Sequence, residues 1–158
     1  MSFDTRAAVR GTRLPAGRLH RLLNTITARR IRRSGSIMGF HCLILTTVGS
    51  RSGLERTNPV GWFPGPDNSW LIVAAAAGAA KNPSWYYNIA AHPDQVRIEI
   101  DCRSISVIAE QLHGPERDQA WKQVIRAQPR FAKYQTKTDR ELPIIRLVSR
   151  TAEQTPQA

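Results

Sequence analysis

The sequence predicts an α+β domain in which about six mostly antiparallel strands curl into a small barrel with helices at its flanks. Apolar, β-branched runs recur between short turns rich in Gly, Pro, Asn and Asp, the pattern of strands joined through hairpins. No helical crossover separates the first three runs and no G-x-G-x-x-G is present, which argues against a doubly wound nucleotide-binding fold. At 158 residues and 41% hydrophobic content, the chain suits one ordinary domain with a real core rather than a disordered chain.

Taken in order, residues 1–15 form a basic leader with no clear periodicity, expected to be flexible. From Ala16 to about Arg30 the apolar residues Leu19, Leu22, Leu23 and Ile26 fall at helical spacing with arginines on the other faces, so a basic amphipathic helix opens the domain, which extends over 16–150. Ser34-Gly35-Ser36 ends it. Phe40–Val48 is a buried strand, Gly49–Gly53 a turn, and Leu54–Phe63 the return strand, with Pro59 marking an edge or a bulge. Pro64–Asn68 is a turn and Ser69–Ala76 a third strand. Ala77–Lys81 is a loop of small residues. Asn82-Pro83 starts a helix, with Asn82 as cap and Pro83 in the first turn, that runs to about Ala91. Gln95–Asp101 and Ser104–Glu110 form a hairpin. A second helix opens at Pro115 with Ala120, Trp121, Val124 and Ile125 on one side, and Pro129 ends it. A short segment, Phe131–Tyr134, leads to a last strand, Pro143–Val148. Residues 151–158 are a polar, loose tail.

The charge is lopsided. The net value is +11, and residues 1–36 hold nine arginines against the single acid Asp4, which is +8 of it. Such a surplus points to an anionic partner: nucleic acid, an anionic membrane face or a phosphorylated ligand. The cysteines, Cys42 and Cys102, lie in strand-like runs without metal spacing, so buried free thiols in a reducing compartment are expected, a disulfide being the alternative. The longest apolar run, Leu71–Ala80, has ten residues, too few for a membrane span. The start lacks a signal-peptide core, although its Arg-rich, acid-poor composition is shared with transit peptides. The expected location is the cytoplasm, with the inner face of the plasma membrane as a peripheral site.

Chemistry-bearing patterns are few. Glycines at both ends of the Gly49–Gly53 turn allow positive φ and an inward-turned backbone that can cradle an anion, with Arg51 at the tip and Arg56 on the outgoing strand adding charge. An ordinary hairpin with solvated arginines explains the turn equally well. Alternation puts Arg56, Asn58, Val60 and Trp62 on one face, a mixture suited to a ligand wall or to a half-exposed edge strand. Ala74 to Ala77 followed by Gly78 would let a flat group lie against the backbone, or let a helix pack closely on the sheet. Trp85, Tyr86 and Tyr87 are an aromatic cluster of the kind more often found in cores. His20, His41, His92 and His113 are scattered, so no metal site is expected. Nucleophile motifs, acidic pairs and a Walker loop are absent, and any enzymatic chemistry is expected to be carried by a cofactor.

The ordered series Leu43–Gly53, Arg56-Thr57-Asn58-Pro59-Val60, Lys81–Asn88 and, near the C-terminus, Tyr134-Gln135, Thr138-Asp139-Arg140 and Pro143-Ile144 resembles the deazaflavin-dependent nitroreductase family of actinobacteria. The resemblance covers roughly residues 16–148. It implies a split β-barrel of the flavin-reductase and pyridoxamine-oxidase type that binds reduced coenzyme F420 and transfers hydride to hydrophobic acceptors such as quinones, enones and nitroaromatics. Carried over residue by residue, Arg51, Ser52 and Arg56 would receive the anionic oligoglutamate tail. Thr57, Asn58, Pro59 and Val60 would border the cofactor's middle. Ala75, Ala76, Ala77, Gly78 and Lys81 would sit beside the ring or its phosphate, and Trp85, Tyr86 and Asn88 would close the pocket. Trp62, Phe131 and Tyr134 would face the acceptor, with Tyr134 as the catalytic hydroxyl. The chain departs from the family pattern at Ser50, where a second turn base is usual, at Ala76 or Ala77, where a polar residue is usual, and at Phe131, where tyrosine is usual. These departures bear on nitroimidazole-type activity more than on cofactor binding.

The expected partners are a small hydrophobic substrate and, through the N-terminal helix, an anionic membrane surface; the protein would be a monomer or homodimer. The competing readings are a split barrel that binds FMN, haem or a fatty acid, and a non-enzymatic basic protein that binds nucleic acid or a membrane. No nucleic-acid motif accompanies the basic leader, and nucleic acid is not an expected partner.

Overall fold

The computed structural model describes Phe3, Asp4, Ala8, Arg10, Gly11, Ser36, Ile37 and residues 40–150. The helix expected over residues 16–30 and the tail beyond Arg150 lie outside the described residues. The elements are β1 (Ser36–Ile37), β2 (Phe40–Val48), β3 (Glu55–Gly61), β4 (Phe63–Pro64), β5 (Trp70–Val73), α1 (Ser84–Ala91), β6 (Val96–Ile100), β7 (Arg103–Gln111), α2 (Gly114–Ala127), α3 (Arg130–Lys137) and β8 (Ile144–Ser149). Two short 3-10 turns lie at Pro66–Asn68 and Ala76–Gly78.

Every strand pairing is antiparallel. The sheet runs β3-β2-β6-β7-β8-β5-β4, with β1 also on β2. The stretch 55–64 therefore pairs with β2 at one edge and with β5 at the other, and by spanning both edges it curls the sheet into a barrel. That corrects the single strand expected over Leu54–Phe63. The ladder with β2 ends at Gly61 opposite Cys42, the Trp62 N–H then donates to the His41 carbonyl (2.9 Å), and Phe63 takes a new partner in Leu71. Pro59 lies in β3, which among the described residues pairs with β2 on one side only, where a proline is tolerated.

The third strand is shorter than expected: it ends at Val73, Ala75 has already left the extended conformation, and Ala76, Ala77 and Gly78 follow with φ of 45°, 52° and 78°. The Phe131–Tyr134 segment is not a linker but part of helix α3, for which Pro129 is the N-cap residue. Helix α1 starts at Ser84 with Pro83 at the cap position, so Asn82 is not the cap; its amide is drawn inward instead, as described below. Cys102 is exposed rather than buried. It shares a two-residue hairpin turn with Asp101, both at positive φ (60° and 50°), the geometry that matches strand twist in a tight hairpin. Neither Cys42 nor Cys102 forms a disulfide.

Alternation along β5 and β8 builds two cores. Ile72, Ala74, Ile145 and Leu147 face the barrel interior with Leu43, Leu45, Val60, Ile98 and Val107, and α1 contributes Trp85, Tyr86 and Ile89. Leu71, Val73, Ala75 and Ile144 face outward and are covered by Ala120 and Val124 of α2 and Phe131 of α3. A strand buried on both faces is a continuous apolar run, which is why Leu71–Ala75 shows no alternation in the sequence.

Candidate functional site

Two turns carry the sequence-predicted site. The first joins β2 to β3. Pairing sets Thr47 opposite Arg56, Leu45 opposite Asn58 and Leu43 opposite Val60. Directly paired residues share a face, so Arg56 and Asn58 continue the interior face toward the hairpin end, as the alternation predicts. Thr57 and Pro59 lie on the opposite face with Thr46 and Ile44, so the stretch 57–60 does not form one wall. Within the turn, the Gly49 N–H donates to the Leu54 carbonyl (2.8 Å) and the Gly53 N–H to the Gly49 carbonyl (2.9 Å). Only Gly53 needs positive φ (70°). At Gly49 the constraint is close approach: a Cβ there would lie 2.5 Å from Ser52 Oγ, which would have to turn aside. That hydroxyl is already engaged, accepting from the Leu54 N–H (3.2 Å).

Helix α1 holds this turn through Asn88, which is only 6% exposed. Its Oδ1 accepts from the Ser50 N–H (2.9 Å) and its Nδ2 donates to Thr47 Oγ1 (3.1 Å). Asn88 is thus a brace for the basic turn. Arg51 is exposed at the tip, Arg56 is half-buried, and Lys81 is exposed ahead of α1. Among the described residues these three cations have no carboxylate or hydrogen-bond partner.

The second turn is Ala76–Gly78. Left-handed backbone costs a non-glycine residue about 1–2 kcal/mol, so two consecutive alanines there must be held. Arg140 holds them. It is 8% exposed and donates from Nε to Ala79 O (2.8 Å), from Nη1 to Ala74 O (3.0 Å) and Asn82 Oδ1 (2.7 Å), and from Nη2 to Ala75 O (2.8 Å). Burial pulls its guanidinium pKa below the ordinary value. From the other side α3 packs on the turn so closely that a Cβ at Gly78 would meet Tyr134 O at 2.6 Å and Lys137 Cβ at 2.9 Å.

Tyr134 is half-buried on α3, edge-on to Phe131 (5.6 Å), which is edge-on to Phe63 (5.7 Å), and the Lys137 ammonium lies 5.9 Å from the Tyr134 ring centre. The structure thus brings Phe131 and Tyr134 together beside the Ala76–Gly78 turn. Trp62 is not with them. It packs on the inner core, 6.0 Å from the His41 ring. Trp85 and Tyr86 are also inner-core residues. Tyr86 is fully buried, and its single hydroxyl proton is shared between two acceptors, Gln111 Oε1 and the Asp4 carbonyl (2.9 Å), with its pKa pushed up to about 12, chiefly by burial.

The described residues of the N-terminal segment lie against these same elements. The Ala8 N–H donates to Ala80 O (2.7 Å), and the Arg10 guanidinium donates to Thr136 O (3.2 Å). Among the described residues no group of His, Cys, Asp and Glu is arranged to hold a metal, and no helix is long and apolar enough to cross a membrane.

The family model for F420H(2)-dependent quinone reductases matches residues 18–149. The chain belongs to that family. An F420H(2)-dependent quinone reductase of Mycobacterium tuberculosis is 32% identical over 111 residues, covering 68% of this chain and 73% of the relative. A solved F420-H2 dependent reductase is 34% identical with a TM-score of 0.60, over 67% of this chain and 92% of that one. Another solved structure, described as a domain-swapped dimer, is 32% identical with a TM-score of 0.61, over 82% and 99% of the two chains. The split-barrel expectation and the deazaflavin cofactor both hold for this quinone reductase family, and the enzyme is an oxidoreductase.

The residues present fit coenzyme F420. An anionic tail calls for cations not already neutralised, and Arg51, Arg56 and Lys81 meet that need. A flat ring calls for small side chains, and Ala75 to Gly78 supply them. Arg140 and Gln135 were not singled out by pattern reasoning, although Tyr134-Gln135 and Thr138-Asp139-Arg140 were part of the resemblance. Gln135 ties α3 to the following loop, its Nε2 donating to Arg140 O (2.7 Å) and its Oε1 accepting from the Leu142 N–H (3.0 Å).

Proposed function

We propose that this quinone reductase family member reduces a lipophilic quinone with coenzyme F420, holding the cofactor's acidic tail at Arg51 and Arg56 and its ring beside Ala75–Gly78. The observation that carries the assignment is Arg56: a half-buried guanidinium on the interior face, opposite Thr47, with none of its donors engaged among the described residues. A guanidinium held on this face without a protein partner is available to an anionic ligand.

When bound, the reduced deazaflavin supplies a hydride equivalent for a two-electron reduction. The chain's own contribution is orientation and exclusion of water. Arg51 and Arg56 bind carboxylates by planar, charge-assisted forks, each worth about 1.5–3 kcal/mol. Lys81 adds a point charge suited to a phosphodiester. Ala76 and Ala77 keep the surface flat. On α3, the Tyr134 hydroxyl is the group that can bond to an acceptor's carbonyl oxygen, and reduction of that oxygen requires one proton, for which Tyr134 Oη or water is the donor. Quinones and enones present such a carbonyl. Nitroaromatics are the weakest of the proposed acceptors, because neither Ala76 nor Ala77 offers a polar side chain to hold a nitro group. The domain-swapped relative supports a homodimer for this chain as well.

Fluorescence titration of the full-length protein with coenzyme F420 tests the assignment. The wild type is expected to bind saturably, and the double variant Arg51→Ala, Arg56→Ala to bind at least about a hundredfold more weakly. Equal binding by the two proteins would remove the tail site from this turn.

A further inference from the structure

We infer that Arg140 is the positioning residue of this site, a single buried guanidinium that shapes the Ala76–Gly78 turn with its side chain and seats the Tyr134 helix with its backbone. For its functional half the inference rests on the deazaflavin reading proposed above.

The side-chain half follows from where the four hydrogen bonds go. Ala74 and Ala75 lie just before the turn and Ala79 just after it. One rigid, planar fork thus pins both ends, and the residues between them close the gap in the left-handed region. Asn82 Oδ1 takes the remaining Nη1 donor and fixes the fork's rotation. No carboxylate pairs with Arg140 among the described residues, and its charge is met by carbonyl dipoles alone. Removing the guanidinium would leave the Ala74, Ala75 and Ala79 carbonyls and Asn82 Oδ1 without their donor, so it stabilises the loop and fixes several carbonyls at once. Lysine could not do the same, since its ammonium is a point donor with no planar fork.

The backbone half runs through Gln135. Its side chain bonds the Arg140 carbonyl and the Leu142 N–H, which locks α3 to the loop that carries Arg140. The neighbouring Tyr134 carbonyl sits against Gly78. Displacing the fork would thus move the turn and the Tyr134 helix together.

The test compares full-length wild type with Arg140→Lys and Arg140→Met by hydrogen–deuterium exchange without cofactor and by fluorescence titration with coenzyme F420. In both variants the amides of residues 76–81 are expected to exchange roughly tenfold faster or more, while those of the β6–β7 hairpin are unchanged. Affinity for coenzyme F420 is expected to fall roughly tenfold. Adding Ala77→Gly to Arg140→Lys should recover part of that affinity, because glycine adopts positive φ without penalty. A lower melting temperature with unchanged turn exchange and unchanged affinity would make Arg140 a stability residue only and overturn the inference. Should the Arg140 variants not fold, Asn82→Ala removes one acceptor and leaves the fork in place. It should then show the same pattern with a smaller shift, roughly threefold, and no shift would overturn the inference. If the wild type itself fails to bind coenzyme F420, the deazaflavin reading falls, and the exchange arm alone decides whether Arg140 shapes the turn.

Discussion

The two turns of the site are held by opposite means. The Gly49–Gly53 turn shows its charge: Arg51 is exposed, Arg56 follows on β3, and the buried anchor behind them is the neutral amide of Asn88. The Ala76–Gly78 turn shows no charge, and the buried anchor behind it is a cation, Arg140. Under the proposed function, the difference follows from what each turn would meet. Where a ligand brings negative charge, cations must stay uncommitted, so the anchor is a group that does not compete for anions. Where a flat ring needs bare backbone, the side chains shrink to methyl groups or hydrogen, and the strain of that shape is carried by hydrogen bonds from behind.

That comparison can be broken one turn at a time. The largest effect is expected for Gly78→Ala. Alanine there would have to adopt a φ of 78° and place Cβ 2.6 Å from Tyr134 O; strain and clash together should cost about 2–4 kcal/mol in denaturant unfolding, and coenzyme F420 affinity should fall with it. Asn88→Leu comes next. It keeps the volume but leaves the Ser50 N–H and the buried Thr47 hydroxyl unpaired, a loss of about 1–3 kcal/mol, and it should weaken tail binding while leaving Ala76–Gly78 exchange unchanged. Tyr86→Phe, which touches neither turn, is the smallest, at about 1–2 kcal/mol.

Tyr86 also makes a pH prediction. Its pKa is about 12 in the folded protein against an ordinary 10.0, so the folded state keeps a proton that the unfolded state releases. Its contribution to stability is complete below pH 10 and is lost as pH rises toward 12. Melting curves of the wild type should fall through that window, and those of Tyr86→Phe should fall less.

Much of the fold was legible because it rests on local patterns. Alternation along β3 placed Arg56, Asn58 and Val60 on one face, and the register confirmed it. Turn chemistry located the Gly49–Gly53 and Pro64–Asn68 turns, but not the short pairing of β1 with β2 ahead of them. What the sequence hid was long-range. The break at Trp62 depends on a change of partner from β2 to β5, and nothing in residues 54–63 records which strands will flank them. Asn82 looked like a helix cap because Asn before Pro usually is one. It was claimed instead by Arg140, 58 residues away in sequence. Arg140 sits in a short polar stretch with no periodicity, where burial of an arginine has no local signature. Trp62 was expected to face the acceptor with Phe131 and Tyr134, and the two cores separate them. The expected reach of the N-terminal helix toward a membrane lies outside the described residues.

The most direct test of the central claim is oxidation of reduced coenzyme F420, followed by its absorbance, with and without a lipophilic quinone. The account predicts saturable, quinone-dependent oxidation by the wild type, with a KM for the cofactor that rises steeply in Arg51→Ala, Arg56→Ala while the quinone KM changes little. Cofactor binding with no quinone-dependent oxidation, or oxidation indifferent to both arginines, would contradict it.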